Sequence, residues 1–102
     1  MTSEGAGDFK LDLGVPGTLG VSGVLSFDTA AAALQEMRSA VAQGRVTLLD
    51  LAGVRRSDSA GLSCVVAVMA EAAHAGRPLQ VVHMPSGLQA LAQVCEVDRF
   101  ID

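Results

Sequence analysis

The chain has 102 residues, a net charge of −4, and half of its residues are hydrophobic against 18% charged. This composition excludes a disordered chain, and the length fits one domain with a modest core. With no Trp or Tyr, three Phe and an acidic balance, it also argues against a nucleic-acid binder, which needs stacking platforms and positive charge.

Met1 to Asp8 is rich in small residues and carries two acids, and it lacks the apolar centre of a signal peptide. We expect a flexible tail over 1–8, a folded domain over 9–102 and a cytoplasmic location. Phe9 to Val15 alternates apolar and polar residues and predicts a first strand. Pro16-Gly17 is a turn signal, so Thr18 to Leu25 should return as the second strand of a hairpin. Asp28 reads as the N-cap of a helix ending near Ala42, with Ala30, Ala33, Leu34, Met37 and Val41 on its buried face and Gly44 as its stop.

Val46 to Leu51 is a short apolar strand, and Ala60 to Ala75 predicts a second helix that buries Leu62, Val65, Val66, Met69 and Ala73 and stops at Gly76. Its longest hydrophobic stretch, Leu62 to Ala70, is broken by Ser63 and far too short to span a bilayer. Pro78 to His83 reads as a fourth strand. Pro85-Ser86 opens a third helix whose inward face should carry Leu88, Leu91, Ala92 and Cys95. Strands alternating with helices after a hairpin define an α/β domain with a mixed sheet of about four strands and three or more helices.

Between the central strand and the second helix lie Ser57, Asp58 and Ser59, all suited to capping. A helix start also attracts anions, so a phosphate on Ser59 would arrive at a favourable helix end but beside the like-charged Asp58. Gly61 would let the helix start pack closely against a neighbour. Arg55 and Arg56 read as solvated turn residues, and His74 and His83 as surface or strand-edge residues. Cys64 and Cys95 read as buried, reduced thiols, and their spacing from the histidines does not suit a metal. There is no GxxxxGK phosphate loop and no acid–base constellation, so no catalytic residue, cofactor or metal is expected.

The pattern Asp50-Leu51-x-Gly53-Val54-x-x-x-Asp58-Ser59-x-Gly61-Leu62 resembles the signature of STAS domains, a family that includes bacterial anti-sigma factor antagonists and the MlaB subunit of phospholipid-transport ABC complexes. The resemblance extends from about Leu11 to Ile101. Met84-Pro85-x-x-Leu88-x-x-Leu91-Ala92 and the acidic end from Glu96 to Asp102 are similar to the MlaB branch, although Ser59 stands where MlaB proteins can carry Thr. The resemblance implies a non-enzymatic module that binds and regulates an ABC transporter ATPase, held peripherally at the inner membrane through that partner without inserting into it. Its interface would comprise Asp58, Ser59, Ala60, Leu62, Ser63 and Val66, with Leu62 or Val66 as apolar anchor if exposed. The alternative it implies is an anti-sigma factor antagonist that binds a kinase and is phosphorylated on Ser59. A homo-oligomer through an uncovered sheet edge is compatible with either role.

Overall fold

The computed structural model describes residues 9–43 and 45–94. Seven elements follow in the order β1 (Phe9–Asp12), β2 (Thr18–Leu25), α1 (Ala30–Ala42), β3 (Leu48–Ser57), α2 (Ser59–His74), β4 (Gln80–Val82) and α3 (Ser86–Val94). The sheet order is β1-β2-β3-β4, with β1 antiparallel to β2 and the other neighbours parallel. This is the mixed four-stranded α/β architecture expected from the sequence. The two parallel pairings require crossovers, which α1 and α2 supply, and these helices pack on each other and on the central strands.

β1 ends three residues earlier than its alternation predicts. The Asp12 carboxylate accepts a hydrogen bond from the Gly14 amide at 2.8 Å and turns the chain, leaving Leu13 and Val15 exposed. Thr18 N–H then bonds the Val15 carbonyl at 3.1 Å with Gly17 at φ 75°, the geometry of a type II turn with proline in its first central position. β2 occupies the predicted Thr18–Leu25.

Asp28 does not cap α1. The residue before the helix is Thr29, buried, whose hydroxyl accepts from Ser26 N–H at 3.0 Å and donates to the Val24 carbonyl at 2.9 Å. It braces the β2–α1 loop rather than the helix amides. α1 buries Ala33, Met37, Ala40 and Val41, with Ala30 and Leu34 at the margin, as its spacing requires. The expected stop, Gly44, lies outside the described residues, as do Cys95, the tail 1–8 and the acidic end.

β3 differs most from expectation, running to Ser57 where the sequence suggests a polar turn after Leu51. Its pairing with β2 steps from Gly20↔Asp50 to Ser22↔Gly53 and from Gly23↔Val54 to Val24↔Arg56, so one extra residue enters β3 at each step. Such bulges break the two-residue alternation that a sequence reading follows. Leu49 and Leu51 are buried, and the next buried residue is Val54, three positions on.

In α2 the buried face is Gly61, Leu62, Cys64, Val65, Val68, Met69 and Ala72. Ala73, expected inside, is exposed, because the apolar stripe turns toward α1 through Val68 and Ala72. The helix stops where predicted: Gly76 at φ 80° lets its own N–H reach the Ala73 carbonyl and Arg77 N–H reach that of Ala72. β4 is trimmed to three residues, with Leu79 buried just before it, and α3 buries Leu88 and Ala92. Among the described residues no helix is long and apolar enough to cross a membrane.

Candidate partner interface

The signature run occupies β3 and the first turn of α2, and most of its residues are engaged in holding the fold. Asp50 Oδ1 accepts the Ala52 amide at 2.9 Å, satisfying a donor at the first bulge, and meets His83 Nδ1 at 3.1 Å. These bonds, the amide's first, hold the Asp50 carboxyl below its ordinary pKa. His83 is exposed, as expected, and has φ 57°, unusual for a residue other than glycine. Gly53 lies against β2, where a Cβ would come within 2.5 Å of Ser22 Cβ.

Asp58 joins three segments. Its backbone N–H bonds the Leu25 carbonyl at 3.2 Å, its Oδ1 accepts from Ala60 and Gly61 N–H at 2.9 and 3.1 Å, and its Oδ2 accepts from Phe27 N–H at 3.1 Å. The capping role read from the sequence is present, and the structure adds a tie to the β2–α1 loop. The Phe27 amide, followed by that of Gly61, draws the Asp58 pKa below the usual carboxylate range. Gly61 packs so closely on β2 that a Cβ there would overlap the Leu25 carbonyl oxygen. Leu62 is buried beneath the turn, so the exposure that an anchoring role would require is not met. The Cys64 thiol is also buried and donates to the Ala30 carbonyl at 3.1 Å; desolvation, then the nearby Asp58 charge, raise its pKa.

Ser59 stands apart from its neighbours. Its side chain is exposed and its hydroxyl has no protein partner among the described residues, while its carbonyl accepts from Ser63 Oγ at 2.9 Å. Ser63 is also exposed, and Ala60 and Val66 are half-buried. The amides of Ala60 and Gly61 that an added phosphate would seek already serve Asp58, so a phosphoryl group on Ser59 would meet a carboxylate. Arg55 and Arg56 are exposed, as read, but they lie in strand rather than in a turn.

The sequence reading passed over Phe27. It is 80% exposed, and its backbone N–H is fastened to the carboxylate of Asp58, the residue before Ser59, so an exposed aromatic residue is anchored to the signature turn. The available signal was a large aromatic side chain set in the polar stretch Ser26-Phe27-Asp28-Thr29, between the end of the predicted strand and the start of the predicted helix.

This fold, with its bulged central strand and carboxylate-capped α2, is that of a STAS domain. A family model described as "Mlab, STAS domain" matches residues 11–102, and the chain belongs to that family. No curated relative matches the chain. Among solved structures, the unphosphorylated anti-sigma factor antagonist SpoIIAA is similar at TM-score 0.64 and 19% identity, covering 84% of this chain and 82% of that one. The phosphorylated form of SpoIIAA, a Bacillus cell fate determinant, is similar at TM-score 0.67 and 17% identity, covering 93% and 89%. SLC26A9 is similar at TM-score 0.66 and 13% identity over 86% of this chain but 18% of its own. At these identities the likeness is one of fold.

Proposed function

We propose that this chain is a non-enzymatic, MlaB-like subunit that binds and regulates the ATPase of a phospholipid-transport ABC complex on the cytoplasmic side of the membrane. The observation that carries this reading is the isolation of Ser59: within a signature otherwise engaged in folding, its side chain is exposed and unbonded. Phe27, Ser59 and Ser63 form the contact surface, with Ala60 and Val66 at its edge. Asp58 and Leu62 act from beneath, one fixing the turn and the other filling the core. Small side chains at Ser59, Ala60 and Ser63 allow close approach, and Phe27 supplies the buried aromatic anchor that protein interfaces favour.

The test is co-expression with the ATPase subunit, followed by co-purification and measurement of ATP hydrolysis. A Ser59→Glu substitution places an unpaired charge in the contact and should weaken association by ~100-fold or more. Undiminished co-purification of that variant would remove Ser59 from the interface. A second reading, an anti-sigma factor antagonist switched by phosphorylation, is favoured by the accessibility of the same hydroxyl. It requires stoichiometric phosphate on Ser59 after incubation with ATP and a partner kinase, which the transporter reading does not.

A further inference from the structure

Two adjoining hollows on the α3 side of the signature, both lined by Ser57 and Gly87, make up an open groove. The first, of about 400 Å³, runs between the end of β3 and the start of α3 and is flanked by Arg55 and Arg56. Consecutive strand residues ordinarily point to opposite faces. The second bulge, which makes Arg55 the extra residue between Val54 and Arg56, brings both arginines into the lining of the same cleft. Among the described residues neither arginine has an acidic partner, in a chain whose net charge is −4. The second cleft, of about 500 Å³, continues past Ser57 toward α2 and is walled by Ala90 and Leu91. Asp58 stands at its far side, with its carboxylate occupied by three backbone amides.

The polarity of the groove defines its occupant. Positive charge at one end recruits carboxylates. The fixed negative charge of Asp58 repels them from the other, where half-buried Leu91 offers apolar surface. We infer that the groove receives an extended, acidic segment of a partner protein, its carboxylates against Arg55 and Arg56 and an aliphatic side chain against Ala90 and Leu91. This contact adjoins the Phe27–Ser59 surface, since Ser59 also lines the second cleft, while its arginine end lies apart from Ser59 and does not depend on which partner that surface binds.

The test uses a labelled peptide with a leucine, two serines and three glutamates in that order, a second with lysines replacing the glutamates, and a third with serine replacing the leucine. Fluorescence anisotropy on the full chain should show the first bound at least ~10-fold more tightly than either of the others. The double variant Arg55→Glu/Arg56→Glu should reverse the preference between the glutamate and lysine peptides. Ala90→Glu, an exposed helical position that tolerates the change, should weaken the glutamate peptide while thermal unfolding stays within a few degrees of the parent. Equal affinity for the acidic and basic peptides, or an acidic preference that survives the double reversal, would overturn the proposal. So would arginine-dependent binding to vesicles containing phosphatidylglycerol without binding to the peptide, which would assign the arginines to a lipid surface.

Discussion

The two ends of β3 use the same chemistry for different purposes. At the first bulge Asp50 accepts an amide two residues along its own strand, and at the junction with α2 Asp58 accepts amides from the following helix and from a loop 31 residues away. Both ends place a glycine where a neighbour approaches too closely for a side chain. The early end is a local repair of a strand irregularity. The late end is a long-range joint holding a serine and a phenylalanine at the surface, and its disruption should therefore reach both stability and binding.

The sharpest break in this comparison is Gly61→Ala. Its methyl group would meet the Leu25 carbonyl, a backbone atom in the sheet, so we expect a loss of about 3 kcal/mol or more in urea unfolding. Gly53→Ala meets the Cβ of Ser22 first, with the β2 backbone just beyond it, and its smaller loss should be partly restored by Ser22→Gly, a non-additivity that a double-mutant cycle reads directly.

Next in size, Asp58→Ala removes a helix cap and leaves the Phe27 amide without its acceptor. Loss of the cap costs about 1–2 kcal/mol. Asp50→Ala, which frees one exposed strand amide, should cost less. Association with the proposed ATPase partner should fall in the Asp58 variant beyond what its stability explains, and be unchanged in the Asp50 variant.

Acid distinguishes the same two carboxylates. Both have folded pKa values below their unfolded ones, so their stabilising contribution is complete above the unfolded value of about 3.9 and disappears as pH falls through the folded value. The stability gap between the parent chain and Asp58→Asn should therefore close as pH is lowered below about 4. An unchanged gap down to pH 2 would deny the carboxylate its role.

The smallest stability effects belong to Ser59→Ala and Phe27→Ala, which expose or release no buried group and should shift unfolding by less than about 0.5 kcal/mol. Phe27→Ala should nonetheless weaken partner capture by ~10-fold or more if the ring is the anchor of the contact. Thermal unfolding and co-purification measured on one preparation separate the two readouts.

The reading of the sequence succeeded where local periodicity is regular. The Thr18–Leu25 strand, the faces of α1 and α3, the Asp58 cap and the Gly76 stop all depend on residues within a turn or two of one another. It failed where a contact from elsewhere changes the period or replaces the expected partner. Two bulges hide the second half of β3, and Asp28 resembles a cap until the buried Thr29 is seen bracing the loop.

The amino-acid order by itself determined the α/β class, the Asp58 cap that starts α2 and the family to which the chain belongs, since each is encoded in spacing along the chain. Only the tertiary structure decided which signature residues are committed to the fold and which are available to a partner. Leu62 and Ser59 are three residues apart on one helix, yet burial against the sheet takes the first and solvent keeps the second. Phe27 becomes a candidate contact only because a hydrogen bond to Asp58 brings its loop to the helix start. Exposure depends on what packs above a residue, and that is set by segments distant in sequence.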